Sequence, residues 1–137
     1  MSFLERGKAL GVEAGKAENA LFRFALEFCH ETIRGNVSSD LADEAWIAFD
    51  QGRHAGREQK WPGKPASFRV QASKLRQFAK VGERIGSEGH TLLAKLPSLV
   101  DDPTKYYGIY SIAVNVCREM LKRGRTLSEQ DVRNLYP

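Results

Sequence analysis

The chain has 137 residues, of which 42% are hydrophobic, 9% aromatic and 28% charged, with a formal net charge of +4 and a pI near 9.2. That length predicts one domain with a real core, and the composition excludes disordered, collagenous and mucin-like chains. No run reaches the roughly 18 apolar residues of a membrane helix, and Glu5, Lys8, Glu13, Lys16 and Glu18 break up any signal-peptide core, which argues against the membrane and secreted classes.

Residues 2–16 carry Gly7, Gly11 and Gly15 at four-residue spacing. Such spacing either lets a helix approach a neighbour closely or marks a weakly ordered arm. Because each interior glycine costs about 1 kcal/mol against alanine, the expectation is a frayed helical arm over 1–16 ahead of a single helical domain over 17–137. Over 17–34, Leu21, Phe24, Ala25, Phe28 and Ile33 recur at helical spacing, and Gly35 with Asn36 supplies a stop. Ser38, Ser39 and Asp40 form a cap cluster for a helix through Ala45, Trp46, Ile47 and Phe49 that runs to Gly52 or on through Arg57.

A Pro/Gly loop follows at 60–65, since Pro62-Gly63 suits a tight turn and Pro65 bars Lys64 from helical backbone. Ser67 is the expected cap of a long helix through Ile85, which Gly86 ends. A short helical segment over 88–95 is expected to stop before Pro97. Asp102-Pro103 should open a helix to about Arg123, whose Tyr106, Ile109, Tyr110, Ala113, Val116, Cys117, Met120 and Leu121 make it the predicted central apolar helix. Gly124 closes it, and Thr126 with Glu129 forms the expected capping box of a last helix. No segment alternates with period two, so the fold class is all-α: a compact bundle of five to six helices.

The charge is unevenly distributed. Residues 1–52 hold 5 Lys/Arg against 9 Asp/Glu, residues 53–84 hold 9 against 2, and residues 85–137 hold 7 against 6. The central block contains Arg53, Arg57, Lys60, Lys64, Arg69, Lys74, Arg76, Lys80 and Arg84, a concentration that calls for a polyanion or an acidic partner surface. Turning 100° per residue along 67–85, Arg69, Ser73, Arg76, Gln77, Lys80 and Arg84 fall on one side, while Phe68, Ala72, Leu75, Phe78 and Ala79 fall on the other. From Arg69 to Arg84 the cationic stripe spans roughly 22 Å, comparable with several phosphates along a duplex. Arg and Gln can also give paired hydrogen bonds to guanine and adenine edges. Arg53, Arg57, Lys60 and Lys64 extend the candidate surface, with Trp61 available either to stack on a base or to pack on the domain. The connection before this helix is longer than the 3–4 residues of a helix-turn-helix.

Catalytic constellations do not assemble. Cys29 and His30 diverge by about 100° on a helix, and Cys29 falls on the core face. Glu27 and Glu31 read as a solvated carboxylate pair. His54 and His90 stand alone, with no zinc, calcium or phosphate-loop spacing, so no cofactor, metal or enzymatic activity is expected. Two cysteines cannot make a disulfide framework, which points to a reducing, cytoplasmic setting. The expectation is therefore a nucleic-acid-binding accessory protein using duplex DNA in regulation, replication or packaging. Its general look is similar to that of phage and mobile-element accessory proteins. The alternative is a non-enzymatic protein-interaction module, an adaptor, inhibitor or virion component, whose basic face meets an acidic partner. The glycine face and the broad apolar helix leave room for a homo-oligomer.

Overall fold

The computed structural model describes residues 1–14 and 19–137; Gly15 and the expected helix start at residue 17 lie outside them. Among the described residues there are seven α-helices and no strand: α1 (Phe3–Ala14), α2 (Ala20–Ile33), α3 (Ala42–Gly56), α4 (Phe68–Arg84), α5 (Ser87–Leu99), α6 (Ile109–Arg123) and α7 (Glu129–Leu135). Short 3-10 turns, Ser39–Leu41 and Pro103–Tyr106, precede α3 and α6. The all-α class stands, with more helices than five to six.

The added helix is α1, which docks on α3 rather than fraying. Gly11 and Gly52 are both buried where the two helices cross. A β-carbon at Gly52 would overlap the Lys8 carbonyl, and one at Gly11 would overlap the Phe49 carbonyl. The glycines thus serve a close backbone approach within the chain, and Gly7 opposes the Phe24 ring. Gly7 and Gly11 are both used in packing within the chain. In Gly52→Ala, better helix propensity gains up to about 1 kcal/mol, while overpacking against rigid backbone costs about 3. A net loss of about 2 kcal/mol, or a fall in melting temperature of roughly 6–10 °C, is expected; an unchanged or higher melting temperature would deny the close crossing.

Above this crossing the aromatic rings form a continuous stack. Phe3 lies 5.0 Å from Phe24, Phe24 lies 5.7 Å from Phe49, and Phe49 lies 5.8 Å from Trp46, centroid to centroid. Offset rings at these separations add to the burial of area. Arg6 of α1 pairs with Glu27 and lies 3.6 Å from Glu31 on α2, and Asn36 Nδ2 donates to Glu31 at 2.8 Å. Glu31 is therefore buried and partnered, not solvated, because α1 covers it.

The helix α4 packs on α2, α3, α5 and α6, so it shares the centre of the bundle with α6, which the sequence alone singles out. It sits close to α2 because Gly82 faces Thr32, whose hydroxyl donates to the carbonyls of Cys29 (2.6 Å) and Ala79 (3.2 Å). The expected helix over 103–123 is split. Tyr107 has φ 66° and Gly108 φ 98°, and Gly108 N–H donates to Pro103 O at 2.9 Å, so the chain turns before α6 begins. Pro97 lies inside the last turn of α5 instead of ending it; it gives up one backbone bond, while Leu96, Leu99 and Val100 bury themselves beside it. Ser67 has φ 48° and makes no side-chain cap. The last capping box is made by Ser128 and Asp131, each backbone N–H bonded to the other's side chain at 3.0 Å, in place of Thr126 and Glu129. Among the described residues, no helix is long and apolar enough to cross a membrane.

Candidate nucleic-acid interface

The two faces of α4 follow the wheel drawn from its sequence. Ala72, Leu75, Phe78 and Ala79 are each at most 2% exposed, and Phe78 stacks flat on Tyr110 of α6 at 5.6 Å. Opposite them, Arg69 and Arg84 are exposed, and Ser73, Gln77 and Lys80 are half-buried. Gln77 Nε2 reaches the Ser73 carbonyl at 3.4 Å, a long hydrogen bond that leaves its amide oxygen uncommitted. Arg76 lies at the edge of the stripe, where its guanidinium donates to Asp43 of α3 at 2.9 Å. It braces α4 against α3.

Ion pairing separates the arginines into two groups. Of the twelve, Arg6, Arg23, Arg34, Arg53, Arg76, Arg123, Arg125 and Arg133 pair with carboxylates. Arg57, Arg69, Arg84 and Arg118 make no ion pair among the described residues, and neither do Lys60, Lys64, Lys74 or Lys80. Within the basic block, Arg53 and Arg76 alone are neutralised among the described residues.

Arg53 and Trp61, both candidate ligand contacts, belong instead to a polar hub that shapes the 57–67 loop. Asp50 of α3 is completely buried. It accepts from Arg53 Nη2 at 2.5 Å, from the Trp61 indole at 3.1 Å and from the Ala66 backbone N–H at 3.2 Å. Trp46 donates its own indole N–H to Ala66 O at 2.9 Å, and the Arg53 guanidinium lies 5.0 Å above the Trp46 ring. Burial pushes the Asp50 carboxyl up, but the hydrogen bonds from Arg53, Trp61 and Ala66 outweigh it and hold the carboxyl below its ordinary range. The half-buried Trp61 therefore packs on the domain, and the loop it anchors carries Arg57, Lys60 and Lys64 outward as exposed cations.

Asp50 was missed from sequence. Its signal was position: it shares the helical face of Trp46 and Phe49, one turn before Arg53, where a lone carboxylate needs partners. The remaining titratable groups are scattered. Cys29 is fully buried, and burial pushes its thiol up to about 12. His54 Nδ1 lies 2.9 Å from Asp50 O. His90 does not stand alone, since its ring lies 5.3 Å from that of His30. Burial, then the neighbouring His30, lowers its proton affinity. Among the described residues, no group of three or more His, Cys, Asp or Glu gathers to hold a metal ion.

Comparison with protein-family models, with curated proteins and with solved structures gives no match.

Proposed function

We propose that this protein is a non-enzymatic accessory protein that binds nucleic acid, duplex DNA foremost, through the outer stripe of α4 and the cationic loop beside it. The observation that carries the reading is the selective pairing of arginines: outside the basic block all but Arg118 pair with carboxylates, whereas inside it Arg57, Arg69 and Arg84 make no ion pair among the described residues, and Lys60, Lys64 and Lys80 add charge beside them. Unpaired cations along roughly 22 Å of rigid helix suit successive phosphates, whose condensed counterions are released on binding. Gln77 and Ser73 stand within the same stripe as groups able to meet base edges. Replication, regulation or packaging is the setting such a protein would serve.

The test is fluorescence anisotropy on a labelled duplex, with the salt dependence of affinity, for the parent and for the triple variant Arg69→Glu, Lys80→Glu, Arg84→Glu. Arg76 stays unchanged because a glutamate there would face Asp43 and disturb folding. The parent should bind at 50 mM salt with affinity falling linearly in log–log form, and the variant should lose roughly a hundredfold or more and flatten the slope by about 2.7. Its melting temperature should barely move, since exposed charges contribute under about 1 kcal/mol each. A parent that does not bind at 50 mM salt, or a variant that binds as tightly as the parent, would overturn the reading in favour of an acidic protein partner.

A further inference from the structure

The split before α6 leaves a feature that the stripe does not absorb. Tyr107 is 94% exposed, the most exposed of the large apolar side chains. Its backbone is left-handed at φ 66°, a conformation that disfavours any residue bearing a β-carbon. The turn is nevertheless well held. Tyr107 N–H donates to Thr104 O at 3.3 Å, and the Ser111 hydroxyl donates back to Tyr107 O at 3.4 Å. The preceding Tyr106 is anchored by an edge-on contact with Tyr136 at 4.8 Å and a hydrogen bond from its hydroxyl to Pro137 O at 3.0 Å. Of the four tyrosines, Tyr106, Tyr110 and Tyr136 each have a ring partner, while Tyr107 has none among the described residues. A strained, well-anchored turn thus displays one bare ring, and strain of this kind gathers at ligand clamps.

Beside that ring, α4 and α6 form a cleft lined by Lys74, Tyr107, Ser111, Val114, Asn115 and Arg118. It contains no carboxylate. Among the described residues, Lys74 and Arg118 make no ion pair, and Arg118 is the arginine outside the basic block that lacks one there. Lys74 is turned about 140° from Arg69 around α4, so it stands on the flank of the phosphate-facing stripe, toward α6. Two cations, an aromatic face and the neutral groups of Ser111 and Asn115 are what an unstacked nucleotide requires: phosphate contact, stacking and hydrogen bonds to a base edge. A base inside a duplex offers no free face to such a ring.

We infer that the Tyr107 cleft is a single-strand subsite, holding an unstacked base on Tyr107 while Lys74 and Arg118 take its flanking phosphates. The inference rests on the proposed nucleic-acid binding and adds to it a preference for single-stranded or locally opened strands at this flank.

Anisotropy with a twelve-nucleotide oligothymidylate and with a blunt twenty-base-pair duplex, on the full chain at 50 mM salt, tests it. Tyr107→Ala should weaken binding of the single strand roughly 5- to 150-fold and leave the duplex within about twofold, while Tyr107→Phe should keep both. Tyr107→Gly guards against a folding artefact. Relief of the left-handed backbone should raise its melting temperature while single-strand binding falls as for alanine. If Tyr107→Ala leaves the single strand unchanged, weakens both ligands equally, or if the parent binds duplex but not oligothymidylate, the inference fails and the proposed function stands. If the parent binds neither ligand, both fail.

Discussion

Phe78→Ala should lower the unfolding free energy by about 4 kcal/mol, read as a shift of the urea midpoint at unchanged slope. The ring is fully buried and lies flat against Tyr110 at 5.6 Å. Its removal therefore leaves a cavity at the α4–α6 junction and forfeits an aromatic pair, which places the loss within the 3–5 kcal/mol usual for buried phenylalanine. Phe78 points away from Arg69, Lys80 and Arg84, so at a temperature where the variant stays folded its duplex affinity should match the parent's. A neutral substitution would mean that α4 is rotated about its axis and that the stripe does not face outward.

Asp50→Ala should cost about 3 kcal/mol in the same measurement. The substitution removes one acceptor but strands three donors: the Arg53 guanidinium, the Trp61 indole and the Ala66 N–H. Breaking a buried ion pair by deleting one partner costs about 3–5 kcal/mol; the half-buried Arg53 and Trp61 recover part of it from water. The pH dependence has a definite sign. Because the folded carboxyl titrates below its ordinary value of 3.8, its contribution is complete above that pH and is lost as the pH falls through the folded value. Asp50→Asn should therefore show a shallower acid limb than the parent. A parent-like limb, or an alanine variant of parental stability, would show that the loop does not depend on this carboxylate.

How much of this was legible in the chain depends on whether the cause was local. The rotation of α4 was readable because Leu75 and Phe78 lie nearly opposite Arg69 and Lys80 on a regular helix, and seventeen residues average out local exceptions. The glycine spacing at 7 and 11 is visible too, but its meaning depends on Phe24 for Gly7 and on Gly52 for Gly11, on two other helices. No single helix contains either pairing. Glu31 reads as solvated within its own helix because the residue that covers it, Arg6, belongs to α1. Tyr107 is hidden for the opposite reason: Asp102-Pro103 is a good helix start, yet the turn it opens ends at Tyr106, and the glycine at 108 sits inside an apolar pattern that reads as one continuous helix. Residue type places Arg53 and Trp61 in a basic block, whereas one acid on the apolar face of α3 decides their positions.

Both tryptophans of the chain are wired to the same stretch of backbone, Trp46 through Ala66 O and Trp61 through the carboxylate that also holds Ala66 N–H. The cationic loop thereby carries its own optical gauge. Indole emission follows the polarity around the ring, and both rings that emit are tied to 57–67, with none at the Tyr107 cleft or at the far end of α4 near Arg84. A ligand seated on the loop and a ligand confined to the opposite end of the helix therefore write different spectra on the unlabelled protein, and the occupied part of the surface can be told apart without a probe.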